Sequence, residues 1–152
     1  IGVSAWEAQS YIDSYLARFS GVRRYMHSIV EAAKTNGFVT TIYGRKRYLP
    51  ELKNKNFNIR AMGERMALNT PVQGSAADII KIAMVRVSER LKRDYPAARL
   101  ILQVHDELIV ECPEPLASAV SAAVQEEMEH AAELRVPLLA EAKQGKSWYE
   151  AK

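Results

Sequence analysis

A Val-His-Asp-Glu-Leu pentapeptide at residues 104–108 carries the residue types best suited to chemistry. Runs of β-favouring residues at 100–104 and 108–112 would hold its polar residues at a tight turn. Two adjacent carboxylates on a rigid tip repel each other unless a cation lies beside them, and oxygen ligands of this kind suit Mg²⁺. The alternative is structural, with Asp106 bonded to nearby backbone amides and Glu107 solvated. The pentapeptide alone leaves both interpretations open.

The segment 69–78, Asn-Thr-Pro-Val-Gln-Gly-Ser-Ala-Ala-Asp, is the second candidate. Asn69 and Gln73 each present a donor and an acceptor, which can read minor-groove base edges or sugar oxygens. Arg65 would align with both if a helix continued past Thr70-Pro71. The Gly-Ser pair that follows would leave the backbone uncovered, so that a nucleic acid could come close. A polar helix–helix junction explains the same residues equally well.

Other kinds of active site have little support in the sequence. The Gly-Ser pair at 74–75 does not match the G-x-S-x-G pattern of a hydrolase, and no glycine-rich phosphate loop is present. His27, His105 and His130 have no nearby Cys or His at zinc-ligand spacing. Cys112 is the only cysteine, which excludes a disulfide scaffold.

Composition and charge are those of a globular domain that could contact a polyanion. The 152 residues are 48% apolar and 26% charged, and no apolar run approaches the roughly 20 residues that span a bilayer, so we expect no membrane partner. Residues 43–65 carry a net charge of +5 and residues 106–152 carry −6. This asymmetry predicts one face for a polyanion, although a solvated loop would give the same pattern. The chain starts at Ile1 without a signal-peptide pattern, and we expect an internal cut there.

Hydrophobic spacing and turn residues predict the elements that position these residues. The order predicts an α+β fold in which helices pack on a small antiparallel sheet of at least three strands. The elements are a helix capped by Ser4 and Glu7, a helix ending at Asn36-Gly37, a hairpin around Tyr43-Gly44, an exposed loop at 51–57, helices at 58–69 and 73–93, a hairpin at 100–112, a helix at 116–128 and a strand at 136–142.

The same patterns predict which side chains are buried. Aromatic residues at positions 6, 11, 15, 19 and 25 have the spacing of core residues, and base-stacking platforms are the alternative. The long helix should bury a stripe formed by Ala76, Ile80, Ala83, Met84, Val87 and Leu91. A catalytic tip needs rigid support, so we also expect largely buried side chains at Leu100, Leu102, Ile109 and Val110.

Three segments together resemble family A DNA polymerases. They are TIYGRKRYLPEL at 41–52, GERMALNTPVQGSAADIIKIAM at 63–84 and LILQVHDELIVE at 100–111. Their order and spacing match, and the resemblance covers essentially the whole chain. It implies the C-terminal fingers–palm region of such an enzyme, with residues 1–70 on the fingers side and residues 71–152 in the palm, where the hairpin at 100–112 carries the catalytic tip.

The resemblance also implies roles for individual residues. Asp106 resembles the catalytic aspartate that binds the two Mg²⁺ ions of the complete enzyme, with Glu107 as its helping carboxylate. The residues that would contact primer and template are Arg65, Asn69, Gln73, Gln103 and His105. The basic hairpin around Arg45-Lys46-Arg47 would lie on the fingers side.

Two parts of the family pattern do not occur in these residues. They are the second catalytic aspartate, which lies on an upstream strand, and the fingers helix that binds the incoming triphosphate. The two-metal mechanism needs both aspartates, so we expect the segment to be inactive alone. Its expected partners are primer–template DNA, deoxynucleoside triphosphates and the N-terminal part of the same polymerase, in the cytoplasm with the nucleoid. A standalone DNA-binding module without chemistry is the alternative.

Overall fold

The computed structural model describes residues 2–151, and the chain divides into two compact units, residues 1–75 and residues 76–152. The first unit contains α1 (Ala5–Arg18), α2 (Ser20–Asn36), β1 (Phe38–Thr40), β2 (Lys46–Tyr48), a 3₁₀ turn (Pro50–Lys53) and the start of α3 (Phe57–Asp94). The second contains the rest of α3, then β3 (Arg99–Val104), β4 (Glu107–Glu111), a 3₁₀ turn (Glu114–Leu116) and α4 (Ala117–Glu129). The predicted α+β class is confirmed. Within residues 2–151, no helix combines the length and apolar composition needed to cross a bilayer.

Local sequence signals determine where α1 begins and where α2 ends. Ser4 Oγ accepts the Glu7 amide N–H at 3.3 Å, and a Glu7 carboxylate oxygen accepts the Ser4 amide N–H at 2.8 Å. This is the predicted capping box, and the backbone hydrogen bond from Ser4 lowers the pKa of Glu7. The cap at the end of α2 is Gly37, whose φ of +78° is a left-handed conformation that a glycine adopts readily.

The first unit has a small core formed by Ala33, Val39, Leu49, Leu52 and Ala67. The burial of Leu52 corrects one part of the predicted exposed loop at 51–57, whereas residues 53–57 are exposed as predicted. Pro50 begins a 3₁₀ turn there, and Leu52 on this turn is only 6% exposed. β1 and β2 pair antiparallel with Val39 opposite Arg47, which confirms the predicted small hairpin.

The aromatic side chains of α1 and α2 are exposed, contrary to the prediction that they form a core. α1 contains no buried residue. The exposed fractions run from 44% to 78% for Trp6, Tyr11, Tyr15, Phe19 and Tyr25. Helical spacing shows that a face is apolar but does not show whether another element covers it, and within the described chain none does.

α3 is a single helix of 38 residues, which corrects the predicted interruption at Thr70-Pro71. A proline inside a helix removes one backbone hydrogen bond and crowds the preceding turn, at a cost of about 3 kcal/mol. The β1–β2 hairpin contacts α3 at this turn. Arg47 Nη1 donates to the Thr70 hydroxyl at 3.3 Å, and the Ile42 amide N–H donates to Ser75 Oγ at 2.9 Å, so tertiary contacts lie on both sides of Pro71.

The second unit packs the β3–β4 hairpin and α4 on α3 around Val87, Leu91, Ala98 and Val120. Val87 and Leu91 belong to the stripe predicted for the long helix, and Ala83 of that stripe is also buried. Ala76, the first residue of the stripe, is exposed, so the prediction is wrong at that end.

A β-bulge in β3 explains why the burial predicted for Leu102 is wrong. Leu100 lies opposite Val110, whereas Leu102 lies opposite Ile109, so Ile101 is an extra residue in β3. A bulge changes the side-chain alternation, and the residues that follow it face the other side of the strand. Leu100 and Val110 therefore pack on the core, whereas Leu102 is 45% exposed.

Residues 136–142 do not form a strand, which corrects the predicted sheet of at least three strands. Both sheets in the described part of the chain have two strands. The Ala140 amide donates to the Glu129 carboxylate at 3.2 Å instead of to a neighbouring strand, and Pro137 has no amide N–H to offer. Hydrogen bonds from the Gln125 side chain and from this amide lower the pKa of Glu129.

Candidate functional site

His105 and Asp106 form the two-residue turn of the β3–β4 hairpin. Val104 pairs with Glu107, so Glu107 is the first residue of β4 and lies beside the turn rather than within it. All three of the predicted tip residues are exposed to solvent. The predicted hairpin is confirmed, and its two adjacent carboxylates lie at its turn, exposed to solvent.

The backbone of the turn is strained at His105. Its φ is +54°, and no other non-glycine residue between 2 and 151 has a positive φ. A positive φ at the first of two turn residues matches the twist of a hairpin, but it costs a residue with a Cβ about 1–2 kcal/mol. Gln103 Nε2 donates to the His105 carbonyl and holds this conformation. Strain of this kind is concentrated at functional sites.

Asp106 and Glu107 are chemically suited to a divalent cation. Carboxylate oxygens are the ligands that Mg²⁺ prefers, and Mg²⁺ is often bound by one or two protein carboxylates together with substrate phosphates. No group of three or more His, Cys, Asp or Glu side chains within residues 2–151 could hold a metal ion. The Asp106–Glu107 pair offers two of the several ligands that a Mg²⁺ ion takes.

Arg65, Asn69 and Gln73 lie along one exposed side of α3 in the first unit. Because the helix continues through Pro71, their four-residue spacing places each side chain about 6 Å further along the helix axis than the last. All three are exposed, whereas Ala67 on the opposite side is fully buried. The helical continuity required for their predicted alignment is present.

The basic residues of 43–65 divide into bonded and solvated groups. Arg45, Arg47 and Arg60 donate hydrogen bonds to other residues of the first unit, and Lys46 Nζ lies 4.6 Å from the centroid of the Phe38 ring. These four cations contribute to the local structure. The solvated group consists of the three other basic residues, which are exposed: Lys53, Lys55 and Arg65.

Gly74 and Ser75 face the β1–β2 hairpin, which corrects the expectation that they leave the backbone uncovered. Ser75 is 7% exposed, and its hydroxyl accepts the Ile42 amide N–H at 2.9 Å. The Gly74 carbonyl accepts a hydrogen bond from Arg45 Nη2 at 3.0 Å. A glycine inside a helical pattern costs about 1 kcal/mol relative to alanine, so Gly74 is the one local feature of the sequence that is consistent with this close contact.

Comparison with known proteins decides the family. The sequence profile of DNA polymerase family A matches residues 1–150. The chain belongs to DNA polymerase family A.

Several family A relatives match this chain over its entire length. It is 51% identical to the DNA polymerase I of Bacillus caldotenax and 51% identical to that of Bacillus subtilis strain 168, each over 152 residues. The chain spans 17% of the length of these relatives.

A solved family A structure also has the same fold. It is the polymerase domain of Pol1 from M. smegmatis, in complex with DNA primer-template and dNTP. Its TM-score is 0.93 at 44% sequence identity, and the match covers 98% of this chain and 26% of that chain.

Proposed function

We propose that this chain is the fingers–palm segment of a DNA-directed DNA polymerase, which extends a primer with deoxynucleoside triphosphates in replication and repair. The observation that carries the proposal is the two-residue tip with exposed Asp106 beside Glu107, in a chain of DNA polymerase family A. The related Pol1 domain was solved with primer-template DNA and dNTP. That complex supports the same two classes of partner for this chain.

At the tip, Asp106 would hold Mg²⁺, Glu107 would assist it, and His105 would lie near the primer terminus. When bound, the two Mg²⁺ ions reduce the negative charge at the reacting phosphate and favour the ionised primer hydroxyl. In the reaction the primer 3′ oxygen forms a bond to the α-phosphorus while the bond to pyrophosphate breaks. The contribution of this chain is a fixed backbone, which positions the carboxylates before the substrates arrive.

On the DNA side, Arg65, Asn69 and Gln73 would contact template and primer in the minor groove, together with Gln103. Asn and Gln present both a donor and an acceptor, so they can bond the acceptors that every base pair offers in this groove. Such contacts therefore depend little on which base pair is present. We assign the helices and hairpin of residues 1–70 to the fingers side and residues 71–152 to the palm.

The chain would act as one part of a larger catalytic unit. An upstream region of the same polymerase would supply the second catalytic aspartate and the helix that binds the incoming triphosphate. We therefore expect residues 1–152 to be inactive alone, and the complete enzyme to work on DNA in the nucleoid.

Primer extension tests the proposed function. The native polypeptide that contains residues 1–152 is mixed with a labelled primer–template, Mg²⁺ and four deoxynucleoside triphosphates. We expect the primer to lengthen with the native polypeptide and to stay unchanged with residues 1–152 alone. Tight primer–template binding by the native polypeptide without extension would contradict the proposal and favour a non-catalytic DNA-binding module.

A further inference from the structure

The buried polar residues of the described chain meet at one place in the first unit. They are Thr41, Thr70 and Ser75, with exposed fractions of 5%, 8% and 7%. Thr41 directly follows β1, and the other two lie on α3 on either side of Pro71. A buried hydroxyl group destabilises a fold unless it is hydrogen-bonded. Each of these three hydroxyls has a hydrogen-bond partner, so the hairpin and α3 meet in a specific polar contact.

Ser75 connects the loop after β1 to the turn of α3 that contains Pro71. Its Oγ accepts the Ile42 amide N–H at 2.9 Å and donates to the Pro71 carbonyl. Because Pro71 has no amide N–H, α3 lacks one backbone hydrogen bond at this turn. The Ser75 hydroxyl thus joins Pro71, the residue that lacks the backbone donor, to the hairpin.

Gly74 allows the hairpin to approach α3 closely. A Cβ at this position would lie 2.8 Å from Thr41 Cγ2, too close for two carbon atoms. Thr41 is buried, and its Oγ1 accepts the Arg45 amide N–H at 3.2 Å, so the methyl group cannot rotate away without breaking that bond. The Arg45 side chain also donates to the Gly74 carbonyl at 3.0 Å.

One further bond completes the contact, from Arg47 Nη1 to Thr70 Oγ1 at 3.3 Å. We use the term hairpin clasp for the six residues Thr41, Arg45, Arg47, Thr70, Gly74 and Ser75.

We propose that the hairpin clasp positions Asn69 and Gln73 for the DNA contact, an inference that rests on the proposed function. Thr70 directly follows Asn69 and Gly74 directly follows Gln73, so the clasp holds the neighbour of each. Pro71 lies between the two polar side chains and weakens the helix there. The clasp keeps their spacing constant across this turn while both side chains stay exposed.

Extension from a mismatched primer terminus should depend on the spacing of Asn69 and Gln73 more than extension from a matched terminus does. Correct base pairing already orders a matched terminus, whereas a distorted terminus relies on hydrogen bonds from Asn69 and Gln73. Loss of the clasp should therefore slow extension from a mismatch more than extension from a match.

The test compares kcat/KM for the two kinds of terminus in the native polypeptide that contains residues 1–152. Ser75→Ala removes the bridging hydroxyl, and Ser75→Thr retains it. Gly74→Ala places a methyl group against Thr41, and adding Thr41→Ser removes the opposing methyl group while keeping the hydroxyl.

We expect Ser75→Ala and Gly74→Ala to lower mismatch extension about three- to tenfold more than matched extension, the effect of roughly one lost hydrogen bond. Ser75→Thr and the Gly74→Ala/Thr41→Ser pair should restore the original ratio. With Asn69→Ala and Gln73→Ala both present, Ser75→Ala should change the ratio little further, because the clasp acts through these two side chains.

Equal losses on matched and mismatched termini would mean that the contact is only structural and would overturn the proposal, as would full additivity with the Asn69→Ala/Gln73→Ala pair. If Gly74→Ala yields no folded polypeptide, Ser75→Ala decides alone, since it adds no atom. Failure of the unmodified polypeptide to extend any primer would instead refute the proposed function.

Discussion

Val104 and Glu107 pair across the β3–β4 turn, so that only His105 and Asp106 lie between the two strands. The carboxylates of Asp106 and Glu107 therefore lie on backbone segments of different conformation. Glu107 belongs to the strand ladder, whereas Asp106 lies at the end of the turn beside the strained His105. We therefore expect Asp106 and Glu107 to have unequal roles in the proposed catalysis.

Glu107→Gln should leave folding intact and reduce primer extension by about 10- to 100-fold, the usual range for residues that support a metal ligand. The amide keeps the size of the carboxylate and removes its charge. Steady-state kcat measures the effect, and Glu111→Gln is a matched control because Glu111 is exposed at the other end of β4. A loss equal to that of an Asp106 variant, or no loss, would contradict the supporting role.

Lys53→Ala and Lys55→Ala should weaken DNA binding and make it less sensitive to salt. Each phosphate contact that is lost should reduce the slope of log K against log salt by about 0.9. Lys34→Ala is the control, because Lys34 forms an ion pair with Glu64 at 2.9 Å. Fluorescence anisotropy across a salt series gives the slopes, and unchanged slopes in both lysine variants would exclude them from the phosphate-binding surface.

Asn69→Ala and Gln73→Ala should behave differently from the lysine variants. Amide side chains contact bases or sugars and release no counterions, so the salt slope should stay nearly constant while extension from a mismatched terminus falls. Together, the two experiments distinguish residues that bind DNA through phosphates from residues that contact bases or sugars. A change in slope as large as that of a lysine variant would place these residues on phosphates.

Leu91→Ala should lower the free energy of unfolding of the second unit by about 2–5 kcal/mol. Leu91 is a core residue, only 2% exposed, and truncating its side chain leaves a cavity. Leu102→Ala is the matched comparison, and its effect should be far smaller because Leu102 is 45% exposed. Urea denaturation of the native polypeptide measures both. Equal losses would contradict the packing described for β3.

Much of this fold is predictable because its signals are local. The capping box at Ser4 and Glu7 and the stop at Gly37 depend on neighbouring residues only. The hairpin around Asp106 likewise follows from two β-favouring runs and the polar turn between them. For the candidate site, local signals were enough to locate the tip.

The features that sequence reasoning missed depend on distant contacts. Local propensity predicts a break at Pro71, but hydrogen bonds from Arg47 to Thr70 and from the Ile42 amide to Ser75 connect both sides of this turn to the hairpin. The bulge at Ile101 depends on the register with β4, which a strand pattern does not specify. Residues 136–142 have the composition of a strand but no neighbouring strand within the described chain.

The rate of primer extension by an Asp106→Ala polypeptide tests the central claim most directly. The measurement is single-turnover extension in the native polypeptide, with the dissociation constant for primer–template determined in parallel. We predict a rate loss on the order of 10⁴-fold, as for removal of a group that acts only in the transition state, and a largely unchanged dissociation constant. A near-normal rate in the Asp106→Ala polypeptide would show that Asp106 is not the metal ligand and that the tip is not the catalytic centre.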